Sequence, residues 1–167
     1  TISGSVTKGQ CEALSYATSY IPTSGVIETR NQDLCTGGGS VSTINSTEGT
    51  LYFEGATLLD GGSNRYISLL GGANRISIQF RNLTGRIRVN GTSFTNIEAQ
   101  GITQDINHKI AVSYSSSGVK LFVNGVLEDS NTDNPNFPNN SLSSLDFDLN
   151  NTLPFYGKTK AVAVWKG

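Results

Sequence analysis

The stretch Arg75-Ile76-Ser77-Ile78-Gln79-Phe80-Arg81 alternates polar and apolar side chains without a break, and Arg86-Ile87-Arg88-Val89 does the same. Successive side chains of a strand point to opposite faces, so a period of two specifies a strand with one buried and one wet face. A helix would scatter these residues around its circumference. Asn82-Leu83-Thr84-Gly85 between the two runs has turn chemistry, so they read as a hairpin. Leu145-Asp146-Phe147-Asp148-Leu149 carries the same alternation near the end of the chain.

Other segments agree. Residues 51–56, 66–70, 75–81, 85–89, 109–114, 119–123, 144–149 and 155–165 are strand-like, and Ser115-Ser116-Ser117-Gly118 and Asn124-Gly125 mark tight turns. About eight strands at even spacing, with no helical period, predict an all-β fold: an antiparallel two-sheet β-sandwich or jelly roll. Nineteen glycines and no methionine suit short strands and turns better than long helices. The polar stretch 128–141 reads as a surface loop. Residues 1–47 are loop-rich, with a turn at Pro22 and Gly25 and a glycine loop at 37–39.

A chain of 167 residues reads as a single domain, 1–167, with its main strands in 48–167. It begins without Met and stops at Gly167, so a fragment of a longer protein is expected. The net charge of −1 argues against general attraction to nucleic acid or an anionic membrane. No apolar run reaches the roughly 18 residues that membrane insertion as a helix needs. Cys11 and Cys35 are too few for a disulfide framework, and whether they form one bridge stays open.

The segments SYATSYIPTSGVIETRNQD (15–33), NSTEGTLYFEGATL (45–58) and NRYISL (64–69) resemble the concanavalin A-like, laminin-G-type domains of bacteriophage tail proteins. INHKIAVSYSSSGVKLFVNGVLE (106–128) and LDFDLNNTLPFYGKTKAVAVWKG (145–167) are similar to the same group, in the same order. The resemblance implies a concanavalin A/laminin-G-like jelly roll. It leaves function open, because this architecture hosts lectins, adhesins, glycanases and structural modules.

Hydrolases of this architecture carry Glu-x-Asp-x-x-Glu on a strand, and that string is missing here. Asp146 and Asp148 share a strand face in the sequence pattern, but opposite a Leu/Phe/Leu stripe they read as a solvated polar face. His108 is the only histidine, which deprives a His-based triad of its partners. The expectation is therefore no enzyme. Asp129-Ser130-Asn131-Thr132-Asp133 places oxygens at alternate positions, as at the start of a calcium loop, and the resemblance implies calcium at a loop rim. Asp129, Asp133 and Asp60 are the candidate ligands.

The arginines say most about binding. If Asn82–Gly85 is the turn, Arg81 lies opposite Arg86, on the face that also carries Arg75, Gln79 and Arg88. Like charges directly across a strand pair repel. Either an acid such as Glu54 or Glu98 compensates, or the face receives an anionic ligand, since guanidinium binds carboxylate or sulfate in bidentate fashion. Candidate ligand-binding residues are Arg75, Gln79, Arg81, Arg86, Arg88 and Tyr66. Tyr66, Phe137, Tyr156 and Trp165 are candidate sugar platforms, though Trp165, on the alternating run 161–165, reads as core. The leading expectation is a non-catalytic recognition or decoration module of a phage virion or tail appendage, contacting a cell-surface polysaccharide that is anionic if the arginines receive it. The alternatives are a carbohydrate-binding module of a secreted bacterial polysaccharide-degrading enzyme and a purely structural virion domain packed against other virion subunits. All three place the protein on a virion or outside the cell.

Overall fold

The computed structural model describes residues 20, 22, 24–28, 35–58, 63–81, 85–103, 105–149 and 152–167. The chain divides into two compact units, Thr1–Asp33 and Leu34–Gly167. In the first, the described residues are exposed and outside helix or strand. The described residues of the second form ten strands: β1 (Gly49–Thr57), β2 (Arg65–Gly71), β3 (Asn74–Arg81), β4 (Arg86–Gly91), β5 (Ile97–Ala99), β6 (His108–Ser115), β7 (Gly118–Val123), β8 (Val126–Asn131), β9 (Ser144–Asp146) and β10 (Gly157–Lys166). No helix occurs among the described residues.

The strands form two five-stranded antiparallel sheets, ordered β10-β1-β6-β7-β8 and β5-β4-β3-β2-β9. The apolar half of each alternating strand points between them. Leu51, Phe53, Ile110, Val112 and Leu121 from the first sheet meet Ile67, Leu69, Ile76, Ile78, Ile87 and Val89 from the second, all fully buried. Phe53, Phe80 and Phe155 pack ring against ring at 5.1–5.5 Å, which pins the segment before β10 into the core. Tyr114 is buried with them. Its hydroxyl donates to the Asn45 carbonyl at 2.6 Å, and burial pushes the phenol pKa up to about 12.

Turn chemistry behaves as its residues dictate. Asn124 and Gly125 have φ of 52° and 86°, the doubly left-handed backbone of a type I′ hairpin, and they join the paired residues Val123 and Val126. Gly71 ends β2 where a Cβ would collide with the Ser141 backbone, so no larger residue fits.

Three elements differ from the sequence reading. The polar stretch 128–141 is not all loop, because β8 runs through it to Asn131. This is an exposed edge strand, so burial imposes no apolar alternation on it. Strand β5 spans only three residues, too few to show a period. Strand β9 stops at Asp146 rather than Leu149, since the Phe147 amide leaves the ladder to donate to the Cys35 carbonyl at 2.8 Å. The glycine loop also contributes to the sheet edge: Gly38 and Leu145 exchange both backbone hydrogen bonds, at 2.6 and 3.0 Å.

Candidate functional site

The outer face of the second sheet, turned away from the core, holds the polar half of each strand. Cross-strand pairing builds it in rows. Arg81 faces Arg86; Glu98, Arg88, Gln79 and Tyr66 form a second row; Asn90, Ser77, Ser68 and Asp146 a third; and Arg75, Leu70 and Ser144 a fourth. All six candidate ligand-binding residues therefore share one surface. The alternation that buries Ile76, Ile78 and Phe80 also aims Arg75, Gln79 and Arg81 outward.

Four guanidinium groups on one face need compensation, and Glu98 supplies it for three. Its carboxylate lies 2.5 Å from Arg88 Nε, 3.3 Å from Arg81 Nη1 and 3.3 Å from Arg86 Nη1. The Arg88 hydrogen bond, reinforced by the charges of Arg88, Arg81 and Arg86, outweighs burial and holds the Glu98 carboxyl below the usual glutamate range. Glu54, the other acid considered, sits on the opposite sheet and pairs with Lys160 at 2.6 Å. Arg75 makes no ion pair or hydrogen bond with any described residue, and its Nε is buried without an acceptor.

The middle of the face is tightly packed. Tyr66 and Gln79 are buried although they point away from the core, and Ser68 and Ser77 are fully buried between the Tyr66 and Arg75 rows. Asn90 Nδ2 donates to Gln79 Oε1 at 3.1 Å, and Ser68 Oγ to the Asp148 carbonyl at 2.7 Å. The Ser77 hydroxyl is buried without a partner. Burial pushes the Tyr66 phenol up, while the charges of Arg75, Arg88 and Arg81 pull it back, so that ring lies among the arginines.

The candidate calcium ligands hold backbone amides. Asp129 Oδ2 accepts from the Glu98 amide at 2.9 Å and Asp133 Oδ2 from the Thr95 amide at 2.8 Å, while Asn131 Nδ2 donates to the Thr95 carbonyl at 2.5 Å. The alternating oxygens of 129–133 thereby lace β8 and its extension to β5. Asp60 lies outside the described residues, and no group of three His, Cys, Asp or Glu gathers among the described ones.

Asp146 and Asp148 do not form a pair on one strand face. Asp146 accepts from the Gly37 amide and, at 3.2 Å, from the Ser144 hydroxyl, whereas Asp148 lies beyond the end of β9 and is buried. His108 begins β6, and its Nε2 sits 3.1 Å from the Thr103 carbonyl. Cys35 carries a free thiol, pushed up in pKa by burial and then by Asp146; Cys11 lies outside the described residues.

Of the candidate platforms, Phe137 is in the core and Tyr156 is covered by the Arg65 guanidinium, 4.2 Å from its ring centre. Trp165 reverses its sequence reading. It is 52 % exposed on the outer face of the first sheet, edge-on to Tyr52 at 5.8 Å, because Val162 and Val164 are the β10 residues packed on the core. Alternation was read correctly there, but an all-apolar run does not say which half is buried.

A two-sheet jelly roll of this kind is an architecture that lectins, glycanases and structural modules share. The laminin-G model of the concanavalin A-like lectin/glucanases superfamily matches residues 23–167, and the chain belongs to that superfamily. Among solved structures, galectin LEC-6 of Caenorhabditis elegans aligns at TM-score 0.54 and 14 % identity, over 80 % of this chain and 92 % of its own. The Ruminococcus gnavus IT-sialidase CBM40, bound to alpha2,3 sialyllactose, aligns at 0.58 and 13 %, over 78 % and 86 %. A Bacillus licheniformis beta-glucanase aligns at 0.58 and 14 %, over 74 % and 68 %. At these identities the likeness is one of fold. No curated protein sequence matches the chain.

Proposed function

We propose that this domain is a non-catalytic carbohydrate-recognition module of a phage virion or tail appendage, and that it binds a cell-surface polysaccharide on the outer face of its second sheet. The observation that carries the reading is that face itself, where Tyr66, Gln79, Asn90 and four arginines converge. Its guanidinium and amide groups suit a sugar that bears polar or anionic substituents. The resemblance to phage tail domains supports the virion setting. The engagement of Asp146 by Gly37 and Ser144, and the burial of Asp148, support a binding role over hydrolysis. A glycan array that includes uronate and sulfated polymers should give a signal for at least one class; silence across all classes overturns the reading. Reducing-end release from a polysaccharide panel, abolished by Asp146→Asn, would overturn the non-catalytic part.

The first sheet favours a second reading, as a structural domain packed against a neighbouring subunit. Its outer face carries Ala163, Tyr52, Ala111, Phe122 and Leu127 in one row across the strands, with Trp165 beside them. Such rows mark protein contacts when a partner covers them. Under this reading Trp165→Ser blocks assembly into the parent particle and leaves glycan binding unchanged.

A further inference from the structure

Three of the four arginines on the outer face are committed. Arg81, Arg86 and Arg88 converge on the single carboxylate of Glu98, which occupies the place an anionic ligand would take among them. Arg75 stands apart, at the other end of β3. It is half-buried, no described residue accepts a hydrogen bond from it, and its Nε is enclosed with no acceptor. Two residues along the same strand face, the fully buried Ser77 hydroxyl also lacks a partner. Buried donors without acceptors are rare, because each has given up its water for nothing. Two of them side by side on a binding face point to an oxyanion that is not part of the chain.

We infer that Arg75, with Tyr66 and Ser77 beside it, forms the subsite for an anionic substituent of the glycan, a carboxylate or a sulfate, while Glu98 withholds the other three arginines from the ligand. This rests on the carbohydrate-binding reading above and names the chemistry of the same face. An oxyanion accepts from two donors of a guanidinium together, which a neutral hydroxyl does only singly. Tyr66 and Ser77 are buried, so the guanidinium of the half-buried Arg75 is the part of this subsite that a ligand meets.

The test is calorimetric titration of the whole chain with three probes: oligogalacturonate for carboxylate, dextran sulfate for sulfate, and dextran as the neutral control. Binding of an anionic probe that weakens with added salt is expected. Arg75→Gln should lower that affinity about tenfold to a hundredfold. Arg75→Lys, which keeps the charge and loses the fork, should fall between, and it keeps the test available if the glutamine variant does not fold. Lys120→Gln, an exposed cation on β7 of the other sheet, should stay within about twofold of the parent. Which anionic probe binds tells carboxylate from sulfate. Binding of dextran alone, or parental affinity in Arg75→Gln, overturns the subsite and leaves the module reading standing. A parent chain that binds none of these, nor any glycan on the array, overturns both.

Discussion

Glu98 meets three guanidinium groups within 3.3 Å, and the sign of that arrangement decides how the protein responds to acid. Its folded pKa lies below the ordinary glutamate value, so the stabilisation is fully present above that value, about 4.3. It is lost as pH falls through the folded pKa, when protonation leaves Arg81, Arg86 and Arg88 facing one another. Glu98→Gln imposes that loss at every pH. The groups are partly exposed and screened, so the expected cost at pH 7 is roughly 1–2 kcal/mol, read by denaturant unfolding. The variant should also flatten the acid limb of stability between about pH 5 and 3. It should tighten binding of an anionic polymer as well, since three arginines lose their internal partner. An unchanged acid limb would mean the trio is not held through this carboxylate. The arginine clustering was legible, because a strict period of two and one turn fix which side chains share a face. The identity of the compensating acid was not: Glu54 and Glu98 look alike until the sheet order places one beside Arg88 and the other beside Lys160.

At the scale of elements, β5 and β8 are edge strands of different sheets, and side chains rather than a ladder tie them together. Asp129, Asn131 and Asp133 reach the backbone of Thr95 and Glu98 as a neighbouring strand would, which shields two edges from pairing with another chain. The same spacing resembles a calcium loop because carboxylate lone pairs serve a cation and an amide N–H equally well. Amide exchange separates the two uses. Asp129→Ala with Asp133→Ala should speed exchange at Thr95 and Glu98, with the sheet centres unaffected. Adding calcium to the parent should leave those rates and the melting temperature unchanged; a rise in melting temperature would show that the carboxylates leave the amides for metal. The β7–β8 hairpin offers a cleaner case. With φ at 86°, Gly125→Ala should cost about 1 kcal/mol by thermal denaturation, from backbone strain alone. Eight strands announce themselves through alternation or apolar runs. Strands β5 and β8 do not, one being too short for a period and the other freed by exposure from any need to alternate.

For the whole molecule, the order of the strands says which parts of the chain the fold requires. Among the described residues, all ten strands and every core residue from Ile44 to Phe155 lie within Leu34–Gly167. Within this unit the first and last strands are neighbours: β10 pairs with β1 along its whole length, and its Val162 and Val164 pack on the core. The chain is thus closed by a contact between its most distant strands, which no local signal reports. Two truncations should consequently behave in opposite ways. Removal of 1–33 should leave a cooperative thermal transition within about 4 °C of the parent, a shift worth no more than roughly 1 kcal/mol for a domain of this size. Removal of 157–167 should abolish the transition, because it uncovers the β1 edge and strips Val162 and Val164 from the core. Scanning calorimetry of the two variants reads both outcomes. If the first variant lost its cooperative transition, the fold would need the N-terminal unit; if the second kept it, the β1–β10 closure would not be what holds the sandwich together.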